Sequence, residues 1–395
     1  MNKKEFIETL LETIDFLDFG TSEYGGTTYH GHPKFYFLHT KEEFNNELYR
    51  IIENKEIYDE YDIYYYLSYM IKYSLNRYDS HTRLRFKNDV KDFAFIIRIF
   101  DNKPYIVDSN INYKEYIGLE IERINDIDIS VILSELKKIT CHNNKDELTV
   151  FLEYNLVSPN VLKSLPIFHK CENFEITFES NKRLNLSAAN KEAYCGYLTN
   201  KNYTYEIKDD VAIIKYCSCK DKDKMINLIN EISKISNVNK YIIDLRGNGG
   251  GNSEVNIPLI NFLNGKQFVV LIDQYVFSSG KWCALSLKKI GAKLIGTSIC
   301  APLSAFGNCL MIKMIKNFPI MVYGSTTYYY WHDVGLEFFG FYKEKIDYGE
   351  RNFQGFYDFK FLTADIEIKL TLNDYLNHKD PVKEYALEYL KKQKS

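Results

Sequence analysis

The second half of this chain alternates short apolar runs with helical patterns, and few folds satisfy that order. Val211–Tyr216 reads as a strand, Lys224–Ser236 as a helix and Tyr241–Leu245 as a buried strand. A glycine loop follows, then a helix from about Asn252 and a buried strand at Phe268–Ile272. A helix from about Ser279 and a strand at Lys293–Gly296 continue the alternation. Short apolar strands separated by helices predict an α/β layer built on βαβ units. Asp380–Lys391 closes the chain as an amphipathic helix.

The first half has a different texture. Phe6, Ile7, Leu10, Leu11, Ile14 and Leu17 recur at helical spacing, and helical patterns cover about Glu42–Asn54 and Tyr58–Arg77. Strand-like stretches begin after Asp79-Ser80-His81-Thr82: Arg83–Phe86, Phe93–Phe100, Pro104–Val107 and Gly118–Ile124. Asn125-Asp126 reads as a turn, Val131–Ile139 and Lys145–Leu156 as helices, and Phe174–Phe178 with Leu184–Leu186 as a hairpin. Three regions result: a helical cap over 1–78, a β-rich region over 79–200 and an α/β core over 201–395.

Composition narrows the function. Lys and Arg number 50 against 53 Asp and Glu, a net charge of −3, whereas a dedicated nucleic-acid binder carries a basic excess. Glu8, Glu12 and Asp15 interrupt any signal-peptide core, and the longest apolar runs are strand-sized, so the expectation is a cytoplasmic protein without a membrane partner. The eight cysteines lack paired zinc-site spacing; Cys217-Ser218-Cys219 comes closest. Reduced cysteines packed as small apolar residues are expected, with no metal.

Two loops carry candidate chemistry. Asp244-Leu245-Arg246-Gly247-Asn248-Gly249-Gly250-Gly251 follows one buried strand, and its glycines let backbone N–H groups approach a ligand. Asp273-Gln274-Tyr275-Val276-Phe277-Ser278-Ser279-Gly280-Lys281 follows the next and sets a serine at a helix start. Unpaired N–H donors there favour a developing oxyanion. Each loop also has a plain structural explanation: a tight strand–helix connection, and a serine N-cap. Gly247–Asn252 half-matches a dinucleotide fingerprint, with Asp273 near the acid offset, but Asn252 stands where Gly or Ala belongs.

Taken together, the glycine loop and Phe277-Ser278-Ser279-Gly280 resemble the carboxyl-terminal processing (tail-specific) serine peptidases. Gly296-Thr297, Phe306-Gly307-Asn308, Ala364-Asp365-Ile366 and Asp380-Pro381-Val382 continue the family's order. Ile117–Asn125 resembles the ligand-binding turn of a degenerate PDZ module. The resemblance implies a crotonase-like catalytic core beside a PDZ-like region, and a serine endopeptidase acting on peptides or unstructured polypeptide tails. It implies no cofactor, and it leaves room for a homo-oligomer.

One branch of that family activates its serine with a lysine from a Phe-Gly-Lys-Gly element. Here the corresponding stretch, Ala301–Asn308, holds no lysine. The tricorn-like branch uses a histidine from an upstream Ser-His element, which Ser80-His81-Thr82 matches. The resemblance thus makes Ser278 the nucleophile and His81 the base, with Ser80 and a distant acid in support. Counting back from Ala364-Asp365 places that acid at Asp358, where relatives carry Glu; Glu350 is the fallback. Gly250 and Ser279, then Gly249, are the expected oxyanion donors. Lys281 stands where relatives commonly carry an acid, and its cation either favours an oxyanion or is solvated.

The rival readings are a catalytically inactive peptide-binding protein of the same fold and, more remotely, a dinucleotide-binding enzyme. His30, His32 and His39 lack acidic or thiol neighbours at metal-ligand spacing, so a loop or surface role is expected. Tyr328-Tyr329-Tyr330-Trp331 reads as an aromatic strand packed in a sheet.

Overall fold

The α/β alternation folds as one six-stranded sheet in this computed structural model, which describes all residues except 170, 200, 332–340, 344–359, 394 and 395. Its strands lie in sequence order: Thr204–Lys208, Val211–Lys215, Lys240–Asp244, Gln267–Ile272, Lys293–Gly296 and Ile366–Glu367. The first pair is antiparallel, and every later pair is parallel. Helices Lys222–Ile232, Ile257–Leu263 and Ser279–Lys289 make the crossovers. The closing helix Pro381–Lys392 sets Val382, Ala386, Leu387 and Leu390 against Val211, Ile242, Leu271 and Ile295. Parallel strands covered by helices need apolar residues throughout, which explains the continuous apolar runs.

Register decides where the loops emerge. Asp244 lies opposite Leu271, so neighbouring strands end at the same side of the sheet. The glycine loop and the serine loop therefore leave adjacent strand ends.

Backbone contacts divide the chain into two units. Residues 198–304, 331–342 and 357–395 form the unit just described, and 1–197, 305–330 and 343–356 form the other. The expected cap and β-rich region thus share one unit, which also takes in residues 305–330.

In that second unit, helices Lys3–Phe19, Lys41–Ile51 and Glu60–Leu75 bury Phe6, Leu10, Ile14, Leu17, Phe44, Leu48 and Leu67. Each begins at a side-chain cap, from Asn2, Thr40 and Asp59, each with a reciprocal bond from the third helical residue. The cap is not purely helical. Thr21–Tyr24 and Thr27–His30 pair as a hairpin around Gly25-Gly26, both at positive φ, the form a two-residue turn demands. Nor is its core local, since Leu84, Ile315, Ile320 and Val322 complete it. Strand Arg83–Phe86 pairs antiparallel with Ile320–Gly324.

The middle of this unit has its own core. Hairpin Phe95–Phe100/Lys103–Ser109 turns at Asp101-Asn102, both at positive φ. A four-stranded sheet orders Ile127–Asp128, Ile121–Ile124, Asn173–Phe178 and Arg183–Ser187. Helices Ile129–Ile139 and Lys145–Leu156 pack Ile132, Leu136 and Leu152 into the same cluster. Tyr328 is buried in strand Thr327–Trp331, paired with Ala305–Gly307 and set against Phe306, as the aromatic-strand expectation has it. Among the described residues no helix is long and apolar enough to cross a membrane.

Candidate active site

Ser278 occupies a backbone conformation that serine rarely adopts. Its φ is 49° and its ψ −124°, at the junction of the serine loop with helix Ser279–Lys289. A non-glycine residue there costs about 1–3 kcal/mol and persists only where its surroundings impose it. Ser278 stands at the N-cap, yet its side chain makes no capping bond. The plain structural explanation is therefore not the arrangement this serine takes.

The surroundings that impose it come from the glycine loop. Phe277 N–H donates to the Asn248 carbonyl at 2.8 Å, and Gly280 packs so tightly on Asn248 that a Cβ would fall 2.6 Å from that oxygen. Asp273 Oδ1 accepts from both Gly247 N–H and Tyr275 N–H at 3.0 Å, which ties the two loops together. Asp273 is thus an architectural acid and not a ribose ligand.

Asn248 is fully buried and anchors the loop from below. Its Nδ2 donates to the Tyr216 carbonyl at 2.8 Å, and its Oδ1 accepts Gly250 N–H at 2.9 Å. The expected Gly250 oxyanion donor is therefore already engaged. Gly249 N–H and Ser279 N–H make no hydrogen bond among the described residues. Gly250 matters sterically instead. Its φ is +91°, and a Cβ there would lie 2.8 Å from both Ser278 Cβ and Ser279 N.

Ser279 serves as framework. Its hydroxyl donates to Gly251 O at 2.6 Å and accepts from Ser253 Oγ at 2.9 Å, while its carbonyl accepts Asn256 Nδ2 at 3.0 Å. Cys219 Sγ contacts Asn256 Oδ1 at 3.3 Å, and burial pushes its thiol up to about 11. Burial does the same to Cys217. Both are neutral thiols near pH 7, as expected of cysteines packed as small apolar residues.

Beneath the loop lies an ion network. Arg246 donates to both oxygens of Asp244 and to both of Asp380, with all four bonds between 2.7 and 2.8 Å. Burial alone would raise the Asp244 carboxyl, but Arg246 and Lys215 outweigh it and hold the group well below the usual carboxylate range. Asp380 also caps the closing helix at Lys383 N–H, so one arginine joins the glycine loop to the chain's last helix.

Lys281 is neither solvated nor aimed at an oxyanion. It is buried, and its Nζ donates to the carbonyls of Pro302 and Leu303. It therefore fastens the stretch around Pro302-Leu303 to helix Ser279–Lys289.

The Ser-His element lies in the other unit, between helix Glu60–Leu75 and strand Arg83–Phe86. His81 is buried, and the ideal Cβ of Gly307 lies 3.8 Å from its Nε2. Ser80 does not turn toward the imidazole. Its hydroxyl donates to Glu147 Oε1 at 3.1 Å and accepts from Asn143 Nδ2 at 3.0 Å. Asp79 lies beside His81: its Oδ1 accepts His81 N–H at 2.6 Å and lies 4.0 Å from His81 Nδ1.

His32 lies in a loop, as expected, but is fully buried there, with Nε2 3.1 Å from Asp79 Oδ2. No sequence signal links residues so far apart, whereas Asp79 stands directly before Ser80-His81. His39 stacks on Tyr73. Among the described residues Asp59, Asp62 and His169 come together, but Lys55 Nζ holds Asp62 at 2.7 Å and Asp59 caps a helix. Asp358 and Glu350 lie outside the described residues.

Residues 210–266 match the model of Peptidase family S41. That segment spans two core strands and the glycine loop and stops before Ser278. No curated protein matches the chain in sequence. Among solved structures, a serine-to-alanine mutant of CPAF is similar at TM-score 0.57 and 11% identity, covering 99% of this chain and 98% of that one. Mature CPAF complexed with lactacystin is similar at TM-score 0.57 and 11% identity, covering 98% of each chain. The photosystem II D1 C-terminal processing protease aligns at TM-score 0.40 and 9% identity, over 92% of each chain. The two CPAF structures show a shared fold, and the match to the Peptidase family S41 model falls on two strands of the central sheet and on the glycine loop.

Proposed function

We propose that the chain is an endopeptidase that cleaves peptides or unstructured polypeptide tails through an acyl-enzyme, with a histidine-activated serine as in tricorn-like peptidases. The observation that carries this reading is Ser278 at φ 49°, held off its capping position beside a glycine loop. Strain kept at a strand–helix junction presents a hydroxyl outward, as a nucleophile requires. A crotonase-like core and a PDZ-like middle region belong to the same proposal, as does a cytoplasmic protein with a polypeptide partner and no nucleic acid.

In this mechanism His81 takes the Ser278 proton as Oγ attacks the scissile carbonyl carbon. The carbonyl π electrons move to oxygen, where the N–H groups of Gly249 and Ser279 stabilise the charge. Collapse breaks the C–N bond, and the imidazolium returns its proton to the leaving amine. Water, deprotonated by the same histidine, then hydrolyses the ester. Asp358 supplies the distant acid that the resemblance implies.

A fluorophosphonate probe tests the nucleophile directly, because only an activated serine reacts. Labelling at Ser278 that disappears in Ser278→Ala and in His81→Ala is the expected result. Labelling unchanged in His81→Ala removes the histidine from the mechanism, and no labelling at all favours the inactive peptide binder. Asp358→Asn is expected to cut kcat strongly and Asp358→Glu to preserve it; wild-type kcat in Asp358→Asn removes that residue and points to Glu350.

A further inference from the structure

Four hydrogen bonds end on one fully buried carboxylate, that of Asp79. His81 N–H at 2.6 Å and Thr82 N–H at 3.1 Å reach Oδ1, while Thr82 Oγ1 and His32 Nε2 reach Oδ2. We propose that Asp79 is a positioning residue for His81, and that His32 preserves its charge and sets its aim. The proposal rests on His81 being the base and goes beyond it by adding a second carboxylate, next to His81 in sequence and distinct from the distant Asp358, and the group behind that carboxylate.

The tautomer of His32 is the deciding observation. Lys34 N–H donates to His32 Nδ1 at 3.0 Å, so that nitrogen offers its lone pair and carries no proton. The single proton of the ring then sits on Nε2 and is donated to Asp79. His32 therefore brings a dipole and leaves the carboxylate's negative charge uncancelled. No lysine or arginine contributes to these four bonds. A carboxylate buried at 0% exposure without a full counter-ion is costly unless its hydrogen bonds are complete, and here they are. Burial alone would raise the Asp79 carboxyl, yet the hydrogen bonds from His32 and Thr82 act in the opposite direction and hold it below its ordinary range.

The remaining charge faces His81. Oδ1 lies 4.0 Å from Nδ1, close enough for its charge to act on the ring, and the short bond to the His81 backbone N–H holds the backbone from which the imidazole projects. When His81 takes the serine proton, the imidazolium meets an anion already in place, with little reorganisation. The other titratable or charged groups around it are identifiable. Cys309 Sγ contacts His81 O at 3.5 Å, and burial pushes its thiol up to about 11; Arg83 acts on that thiol as a fixed cation. Cys141 Sγ bonds to Asp79 O, and burial raises it far above its usual range. Glu147 lies behind Ser80. Burial keeps both thiols neutral, and Asp79 contributes a negative charge to the field in which His81 titrates.

The test is a histidine-detected NMR titration of the full chain, with kcat measured across pH. In Asp79→Asn the His81 pKa is expected to fall by about one unit or more, because the imidazolium loses its anion. The acid limb of the kcat profile moves down with it, and kcat falls by about 100-fold or more. An unchanged His81 titration in folded Asp79→Asn overturns the proposal, whatever the activity does. If circular dichroism shows that Asp79→Asn does not fold, His32 decides. Gln at residue 32 can still donate to Oδ2, so His32→Gln is expected to keep most of kcat, while His32→Leu loses it and shifts the acid limb. Wild-type kcat and acid limb in both variants overturn the proposal. His81→Ala separates the two questions: if it stays active the base assignment fails, while the titration still reports whether Asp79 faces that ring.

Discussion

Gly250 and Ser278 abut so closely that a methyl group on residue 250 would sit 2.8 Å from the Ser278 Cβ. Real carbon atoms do not approach that far, and the atoms it would meet are backbone or the Ser278 side chain. Gly250 also holds φ +91°, where an L side chain is strained. Gly250→Ala is therefore expected to displace Ser278 and lower kcat by about 100-fold, the scale of a 1 Å misplacement. Steady-state kinetics check this. Wild-type kcat would show that the loop yields and Ser278 does not depend on it.

The strain at Ser278 makes a prediction that activity alone cannot. Glycine adopts φ 49° without penalty, whereas alanine retains it. Both Ser278→Gly and Ser278→Ala are expected to be inactive, and the glycine variant to be the more stable by about 1 kcal/mol. Urea unfolding of the two proteins compares them. Ser279→Ala is different: it keeps its N–H, so activity largely survives, but losing the bonds to Gly251 and Ser253 lowers stability by about 1 kcal/mol. A dead Ser279→Ala beside an active Ser278→Ala would place the nucleophile one residue later.

Lys281 stands three residues after Ser278, a spacing at which a lysine can serve as a base. Its ammonium donates instead to Pro302 O and Leu303 O, so it has no lone pair to offer a serine hydroxyl. Lys281→Met is expected to keep the histidine-range rise of activity with pH while losing about 1–3 kcal/mol of stability, as two buried carbonyls lose their donor. A pH profile that loses its rise in this variant would identify Lys281 as the base.

Stability should fall in acid for a reason confined to a few carboxylates. Asp244 and Asp79 have folded pKa values below the unfolded value of about 3.9. Their contribution is complete above the unfolded value and is lost as pH falls through and below the carboxylate range. Asp244→Asn is expected to be less stable than wild type at neutral pH and to lose less on going to pH ~3. Equal losses in both proteins would mean that other groups govern acid unfolding.

Much of the α/β core was legible in the sequence. Strand Lys293–Gly296 falls where the apolar run puts it, because parallel strands covered by helices demand unbroken apolar residues, and the helix read from about Ser279 starts there, while the last helix, read from Asp380, starts one residue later at Pro381 with Asp380 as its cap. Helix Lys145–Leu156 was equally plain, being local in its cap and its stripe. The hairpin at Gly25-Gly26 carried a turn signal that the surrounding helical pattern masked.

The candidate site divides along the same line. Residue type and order make Ser278, His81 and the glycine loop candidates, because the proposed chemistry is written in short contiguous motifs. Only the tertiary structure decided which N–H groups remain available, since Asn248 captures Gly250 by folding back on its own loop. It also turned Ser80 toward Glu147, buried Lys281 under two carbonyls, and set His32 behind Asp79 across a long stretch of chain. A sequence states what each side chain can donate or accept. Which partner it meets depends on distances and buried directions, and those exist only once the chain has closed around them.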